Sequence, residues 1–184
     1  MERYVAFLRA VNLGGKTKVS MSELKAVFAD MGFEEVLTIL NSGNVLFSAE
    51  DADKNSIRSR IENRLCEEFG FEIPVYITEL EALRNMLEHT PSWWNTDNKE
   101  YYHNLVFILS EDSPNEICDL IGVPSEGNEY VEVYGEAVFW SYDLSCYQKC
   151  NWWKKTATKG IAEKLTIRTG NTIKKICNAK GIGT

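Results

Sequence analysis

Residues 36–48 read VLTILNSGNVLFS, and this stretch decides the fold. Two short apolar runs, Val36–Leu40 and Asn44–Ser48, lie on either side of Asn41-Ser42-Gly43. A tripeptide of this kind favours a tight turn, because Asn and Gly tolerate left-handed backbone angles. The stretch therefore predicts two antiparallel strands joined as a hairpin.

Outward from the hairpin, each side contributes one more helix and one more strand. Upstream, Arg3–Arg9 is short and apolar, and Ser20 with Glu23 has the spacing of a capping box that starts a helix. Downstream, Asn55–Phe69 has apolar residues at helical spacing, and Ile73–Ile77 follows as a strand. The order β-α-β-β-α-β is that of a ferredoxin-like fold, in which two helices cover one face of an antiparallel sheet.

The second half of the chain repeats this order in part. Thr78 and Glu81 suggest another capping box, which starts a helix that runs to about His89, and the polar segment 90–99 follows it. A strand is expected over Tyr101–Leu109, and a helix that begins with a proline over Ser113–Gly122. A hairpin around Gly135-Glu136 is expected to join strands Tyr130–Tyr134 and Ala137–Tyr142. Residues 145–184 are expected to be largely helical, with a break near residues 166–170.

We therefore expect an α+β protein made of two ferredoxin-like halves. The predicted boundaries are 1–78 for the first half, 79–100 for a helix and linker, and 101–184 for the second half with its basic helical tail. No repeat is visible at the level of residues, so the duplication is inferred from the order of elements alone.

Charge is divided unevenly along the chain. Residues 145–184 contain nine Lys or Arg and one acid, Glu163, whereas the whole chain has a formal net charge of −7. A basic segment on an acidic body binds either its own body or an anionic partner. Both interpretations stay open.

Composition bounds the class of protein. The chain has 184 residues, 44% of them hydrophobic, which is enough for an ordinary core in one domain or two small ones. No apolar run approaches the roughly 20 residues of a membrane span, and the N-terminus lacks the apolar stretch of a signal peptide. We expect a soluble, cytoplasmic protein that is not bound to a membrane.

The five cysteines predict free thiols rather than disulfides. Only Cys146 and Cys150 are close in sequence, as C-x3-C, and no second Cys or His pair accompanies them. His89 and His103 lack metal-ligand spacing. No metal site and no cofactor are expected.

The loop between the first strand and the first helix is a candidate anion site. Its residues Asn12–Lys18 read NLGGKTK. Two glycines let a backbone approach a ligand, free amides at a helix start favour an anion, and the lysines add charge. The required upstream glycine of a P-loop is absent, because Ala10 stands there. The alternative is a flexible loop whose glycines only form turns.

The turn Asn41-Ser42-Gly43-Asn44 is a second candidate, since its small polar groups could bond a ligand. The alternative is that these residues serve only the turn geometry. Sequence alone does not decide whether this tip and the first loop lie at the same end of the sheet.

The basic tail is a third candidate, for nucleic acid. Tyr147 and Trp152-Trp153-Lys154-Lys155 interleave aromatic rings with charge, and Lys154, Lys155, Lys159 and Lys164 recur at near-helical intervals. Tyr4 and Phe47 could stack bases on the first sheet. The acidic body and the missing aromatic RNA-binding motif of the third strand argue against nucleic-acid binding, and the tryptophans are as readily explained as core anchors.

An enzyme acting on a small anionic substrate is the remaining alternative, with Lys16 or Arg168 as electrostatic stabilisers. No G-x-S-x-G motif is present, neither histidine has a convincing Ser or Cys partner, and no nucleophile or general base stands out.

Two motifs resemble a known family. Residues 4–18 read YVAFLRAVNLGGKTK, followed by Met21, Leu24, Gly32 and the run SGNVLF over 42–47. Near the other end, Arg168, Asn171 and Thr172 match a second family motif, while Thr169, Gly170 and Ala10 depart from the family pattern. The chain thus resembles the bacterial family called domain of unknown function 1697. The resemblance implies a two-part α+β fold and implies no activity.

The leading expectation is a protein that binds a small ligand bearing phosphate or carboxylate. We expect its contacts to come from segments far apart in the chain that share one cleft, with Lys16 and Arg168 on its walls. The candidate ligand-binding residues are Arg9, Asn12, Gly14, Gly15, Lys16, Ser42, Asn44, Arg168 and Asn171.

Overall fold

A computed structural model describes residues 1–13, 17–50, 53–94 and 96–179. The chain forms two compact units. The first contains Met1–Asn85 and the described residues from Lys175 onward, and the second contains Met86–Lys174. Each unit has a four-stranded antiparallel sheet covered by helices, so the α+β prediction with two ferredoxin-like halves is confirmed.

The first unit is built around the hairpin quoted above. Its elements are β1 (Glu2–Leu8), α1 (Met21–Asp30), β2 (Glu34–Ile39), β3 (Asn44–Ala49), α2 (Lys54–Phe69), β4 (Val75–Glu79) and α3 (Leu80–Glu88). The strand order is β2-β3-β1-β4, and every neighbouring pair is antiparallel. Most residues of β1, β3 and β4 are buried, whereas β2 at one edge of the sheet is mainly half-buried or exposed.

The core of the first unit lies between the sheet and its helices. Tyr4, Ala6 and Leu8 point to that side, because alternate residues of a strand share a face, and they pack with Ile61 and Leu65 of α2. Tyr4 also stacks on Phe47 with ring centroids 5.8 Å apart. Both rings are completely buried, so they are core residues and not the base-stacking pair suggested by the sequence.

The second unit repeats this arrangement. Its elements are β5 (Tyr101–Ile108), α4 (Pro114–Ile121), β6 (Glu129–Tyr134), β7 (Ala137–Asp143), α5 (Asn151–Thr156), β8 (Leu165–Thr169) and α6 (Gly170–Cys177), with 3-10 helices at Tyr147–Lys149 and Ala162–Lys164. The order β6-β7-β5-β8 corresponds strand for strand to the first sheet. In each unit the last strand runs directly into a further helix, α3 or α6.

One face of the second sheet is covered by α4 and α5. Val106, Val138 and Trp140 of the sheet form a core with Ile117 of α4 and the completely buried Trp152 of α5. Trp152 thus anchors the helix, which is the core role considered for the tryptophans of the basic tail. His103 and Leu105 alternate with Val106 and therefore belong to the opposite face.

Helix ends follow their local sequence in several places. Ser113 and Glu116 form a reciprocal capping box with Pro114 at the first turn of α4. The Ser20 side chain accepts a hydrogen bond from the Glu23 backbone N–H at the start of α1. Gly70 ends α2 as predicted.

Three predictions of local structure were wrong. Thr78 is a buried strand residue of β4, and α3 begins at Leu80, so Thr78 and Glu81 do not form a helix cap. The expected break near 166–170 is the strand β8, which pairs with β5 and completes the second sheet. The strand expected at Ile73–Ile77 lies two residues later, at Val75–Glu79.

The tail is also less helical than expected. Lys154 and Lys155 belong to the short helix α5, Lys159 follows it, and Lys164 lies in a 3-10 helix. They therefore do not form one continuous cationic helix face. No helix among the described residues is long and apolar enough to cross a membrane.

Candidate functional site

A hollow of about 230 Å³ lies in the second unit, where β5 begins and β8 ends. We call it the His103 hollow. Its polar lining comes from three segments: the one before β5, β5 itself, and the junction between β8 and α6. The side chains that matter below are Thr96, Lys99, Tyr101, His103, Thr169 and Asn171. Tyr102 and Leu144, each about two-fifths exposed, form an apolar rim.

Strand pairing brings these segments together. β5 lies between β7 and β8, with Asn104 opposite Thr169 and His103 opposite Ser141. The polar end of β8 therefore lies beside the polar start of β5, although more than 60 residues separate them in sequence. Trp94 donates its indole N–H to the Asn104 carbonyl at 3.0 Å, which fixes the segment before β5 against the sheet.

His103 is the most informative side chain of the hollow. It is only 6% exposed, and its Nδ1 lies 2.6 Å from the hydroxyl of Ser141. Its Nε2 is buried and has no partner of normal hydrogen-bond geometry among the described residues. Burial lowers the pKa of His103 and nearby Lys174 lowers it further, whereas a backbone contact with Asn98 acts in the opposite direction. The ring is therefore held toward its neutral form.

Which nitrogen carries the hydrogen depends on Ser141. When the Ser141 hydroxyl donates to Nδ1, the hydrogen resides on Nε2, which then donates toward the hollow. Ser141 itself is completely buried, so it orients the ring and is not an accessible nucleophile. No local pattern in the sequence marks this Ser–His pair, because its two members lie 38 residues apart.

Thr96 is the second buried polar residue of the hollow. It is 5% exposed, and its Oγ1 also has no hydrogen-bond partner among the described residues. Gly170 packs beneath it. A Cβ at this position would lie 2.5 Å from Thr96 Cγ2 and 2.8 Å from the Trp94 ring, so any side chain here would force this segment to move.

Positive and polar groups surround these two residues. Lys99 donates to the Thr96 carbonyl at 3.3 Å, and exposed Asn171 lies in the first turn of α6. Thr169 accepts a hydrogen bond from the Thr172 backbone N–H at 3.2 Å, which caps that turn. Burial raises the pKa of Tyr101, and Tyr130 and the nearby acids Asp143 and Glu100 raise it further.

Arg168 lies next to this site but inside the sheet. It is opposite Leu105 on β5, so it is on the same face as His103. Its guanidinium donates to Thr166 Oγ1 at 2.9 Å and to the Ile167 carbonyl at 3.0 Å. Burial lowers its pKa to about 10, so it remains cationic at neutral pH.

The first loop and the hairpin tip meet at one end of the first sheet. The Asn12 amide donates to the carbonyls of Val19 and Asn41 at 2.9 and 2.8 Å and accepts from the Val19 N–H at 2.9 Å. Two of these bonds lie within the first loop, and the third joins the loop to the hairpin tip. The Asn12 backbone has φ of 59°, which asparagine tolerates better than most residues.

The polar groups of the hairpin tip are likewise used in hydrogen bonds that stabilise the turn. Asn44 is buried and donates to the Ile39 carbonyl at 2.8 Å and to Ser42 Oγ at 3.0 Å. The Gly43 carbonyl accepts from the Leu8 N–H at 2.8 Å, which joins the tip to the end of β1. These contacts favour the turn-forming explanation of this motif.

Next to this junction an open hollow is lined by Asn12, Ser20, Ser22 and Asn41 at the start of α1. Arg9 is half-buried and its backbone N–H donates to the Pro74 carbonyl at 2.9 Å. Gly14, Gly15 and Lys16 lie outside the described residues. The predicted cleft with Lys16 and Arg168 on its walls stays a prediction for that reason.

The basic tail uses its aromatic rings inside the second unit. Trp152 donates its indole N–H to the Gly122 carbonyl at 2.8 Å, and half-buried Trp153 packs edge-on against Tyr147 at 4.9 Å. Lys164 is paired with Asp112, while Lys154 and Lys155 are exposed. No group of three or more potential metal ligands occurs in the part of the chain that the structure describes.

Of the nine predicted contacts, Asn171 lines the His103 hollow and Arg168 lies beside it, both in the second unit, whereas Arg9, Asn12, Ser42 and Asn44 belong to the first unit. Sequence reasoning missed His103, Thr96 and Lys99. The available signal was the pair His103-Asn104 inside the otherwise apolar strand YYHNLVFI, because buried polar residues in a strand need a partner.

Comparisons with known proteins agree with this fold. The conserved bacterial protein SP0830 from Streptococcus pneumoniae is 25% identical in sequence and superimposes with a TM-score of 0.83, over 96% of this chain and 97% of the other. An unknown protein from Galdieria sulphuraria is 14% identical over 91% of this chain and 96% of the other, but its TM-score of 0.28 is too low to indicate a shared fold. No curated protein matches. The family model described as "Protein of unknown function (DUF1697)" matches residues 1–139, and the chain belongs to that family.

Proposed function

We propose that this protein binds a small ligand bearing phosphate or carboxylate, and that the His103 hollow is the place of binding. One observation carries the proposal. Two almost completely buried polar side chains, His103 and Thr96, line a hollow and each leaves one atom without a partner among the described residues. Buried polar groups are normally hydrogen-bonded, so Nε2 and Oγ1 are the groups that a ligand would satisfy.

The charge of the surroundings supports an anion. Lys99 lines the hollow, Lys174 is near enough to lower the pKa of His103, and Arg168 is a buried cation on the same sheet face. Asn171 and the first amides of α6 add donors at a helix start, where a negative charge is favoured. The acids Glu100 and Asp143 act on Tyr101, which also lines the hollow, and they oppose part of this positive charge.

Size supports a small ligand. A volume of about 230 Å³ is slightly below the usual range of roughly 300–1,000 Å³ for drug-sized ligands. It suits a phosphate or a carboxylate with a short carbon skeleton, and the apolar rim of Tyr102 and Leu144 would lie against that skeleton.

The test is a titration followed by NMR, with inorganic phosphate and short mono- and dicarboxylates as probes and sodium chloride at equal ionic strength as the reference. We expect the signals of His103, Thr96 and Asn171 to shift saturably with the probe and not with chloride. At about 100 times its dissociation constant, a probe should also stabilise the protein by roughly 2.7 kcal/mol.

Alanine variants test whether the ligand binds in the His103 hollow. Asn171→Ala and Lys99→Ala should each weaken binding by about tenfold, which corresponds to one hydrogen bond of roughly 1–1.5 kcal/mol. Lys159→Ala is the matched control, because it removes an exposed lysine of the same unit outside the hollow. Equal affinity in all three variants, or no saturable shift with any probe, would overturn the proposal.

A further inference from the structure

Two cysteines lie on either side of one 3-10 turn in the second unit. Cys146 immediately precedes the turn Tyr147–Lys149 and Cys150 immediately follows it. The Cys150 Sγ is 3.7 Å from the Cys146 carbonyl oxygen. Both sulfurs also contact Asn128, Cys146 at 3.2 Å from its side-chain oxygen and Cys150 at 3.9 Å from its carbonyl oxygen. One residue thus holds both thiols on the same side of the turn.

The two thiols differ in their access to solvent. Cys146 is half-buried, while Cys150 is completely buried beneath it. The other three cysteines, Cys66, Cys118 and Cys177, belong to α2, α4 and α6. An accessible thiol beside a buried one is the arrangement of an attacking and a resolving cysteine.

We propose that Cys146 and Cys150 form a thiol–disulfide exchange site that a low-molecular-weight disulfide oxidises to an intramolecular bond. The Cys146 thiolate attacks one sulfur of that disulfide, forms a mixed disulfide and releases one thiol. Cys150 then loses its proton and attacks the Cys146 sulfur, and the second thiol leaves. The protein loses two protons and two electrons, and the small disulfide is reduced to two thiols.

The geometry allows this closure with a small movement. A disulfide requires Cβ atoms about 3.5–4.5 Å apart, and the Cys146 thiol is already in side-chain contact with the Cys150 thiol. The 3-10 turn between the cysteines is held by two backbone bonds, from the Lys149 N–H to the Cys146 carbonyl and from the Cys150 N–H to the Tyr147 carbonyl. Closure requires the two sulfurs to move from this side-chain contact to the length of an S–S bond, about 2.0 Å.

The second step should be the slow one. Burial, with Glu129, Cys146 and Asp143 as the facing groups that add to it, raises the pKa of Cys150 to about 12. Only its thiolate attacks, so the rate of closure should rise about tenfold for each pH unit between pH 7 and 9.

The experiment treats the folded full-length chain with oxidised glutathione and then alkylates the remaining thiols. Five free thiols should fall to three. Trypsin cleaves after Lys149, between the two cysteines, and a glutamate-specific protease cleaves after Glu136, which separates Cys118 from Cys146. The expected product is therefore a pair of peptides joined through Cys146 and Cys150.

Cys146→Ser should abolish the joined peptides, whereas Cys118→Ser should leave them unchanged. The Cys146 variant keeps the buried thiol in place, so its folding can be verified from an unchanged near-ultraviolet circular dichroism spectrum. A glutathione adduct on Cys146 that never resolves, a joined pair that contains another cysteine, or closure at the same rate at pH 7 and 9 would each overturn the proposal.

Discussion

His103 and Ser141 lie opposite each other on neighbouring strands, and 2.6 Å separates Nδ1 of the ring from the serine hydroxyl. Both residues are almost completely buried in the second sheet. This pair fixes the orientation of the imidazole ring in the wall of the hollow and leaves Nε2 as the ring nitrogen that Ser141 does not contact.

The burial of His103 predicts a dependence of stability on pH. Its pKa is lowered in the folded state, so between that value and the ordinary value near 6.5 the unfolded chain binds more protons. The contribution of His103 to the free energy of unfolding should therefore be fully present above about pH 6.5 and should be lost as the pH falls below that value. Urea unfolding at several pH values measures this slope, and His103→Gln should flatten it.

The exposed histidine supplies the control for this slope. His89→Gln removes an imidazole from the same unit without removing a buried one. A His89 variant that flattens the slope as much as the His103 variant would show that burial of His103 is not its origin.

Glu129 should be important for stability. Its buried carboxylate accepts three backbone hydrogen bonds, from Ser125 at 2.9 Å and from Trp152 and Trp153 at 3.1 Å each. Glu129→Gln replaces an acceptor oxygen by a donor that faces backbone N–H groups. We expect a loss of roughly 2 kcal/mol in the free energy of unfolding. Glu132→Gln, on the exposed part of the same strand, should change it by less than about 0.5 kcal/mol.

Gly43 should not tolerate a side chain. Its φ is +70°, and a Cβ would lie 2.6 Å from Val11 Cγ2 and 2.8 Å from Leu8 Cβ. Gly43→Ala therefore combines backbone strain with a steric clash, and we expect a loss of roughly 2–4 kcal/mol. Gly32→Ala is the matched control, since its φ is +84° but nothing lies within 4 Å. Equal losses in denaturant unfolding would argue against the clash.

At Asn12, two variants separate the contribution of the backbone conformation to stability from that of the side-chain hydrogen bonds. Asn12→Gly keeps a residue suited to φ of 59° but removes the three amide hydrogen bonds, whereas Asn12→Ala removes both advantages. We expect losses of roughly 1–2 kcal/mol for glycine and about 1 kcal/mol more for alanine. Asn41→Ala should cost little in comparison, because Asn12 uses only the Asn41 backbone carbonyl. If Asn41→Ala proves as damaging as Asn12→Gly, the hydrogen bonds to Asn12 are not what holds the loop.

Local sequence signals predicted the fold where a side chain acts on its own backbone. Ser113 and Glu116 cap α4, and the hairpin around Gly135 forms as expected, because these contacts are made within a few residues. Thr78 carried the same capping signal but lies in β4, because the strand pairing of Thr78 with Val5 and its burial outweigh a helix cap.

Long-range pairing explains the other failures. The five residues of β8 follow a helical pattern and precede another, so nothing local marks them as a strand. They become one by pairing with β5, where Ile108 lies opposite Leu165. The candidate site depends on the same pairing. Asn171 was predicted from a motif, but His103 and Thr96 become site residues only when β5, β8 and the segment before β5 are placed side by side.

The contacts of Glu129 have one more consequence. A single carboxylate joins Ser125 to the two tryptophans of the tail, so the chain between them is closed into a ring by hydrogen bonds. The amides of Ser125, Trp152 and Trp153 are donors to the same group and should exchange with deuterium together, through one shared opening event. The loop before β6 and the start of α5 should thus open as one cooperative unit, although more than 20 residues separate them in sequence.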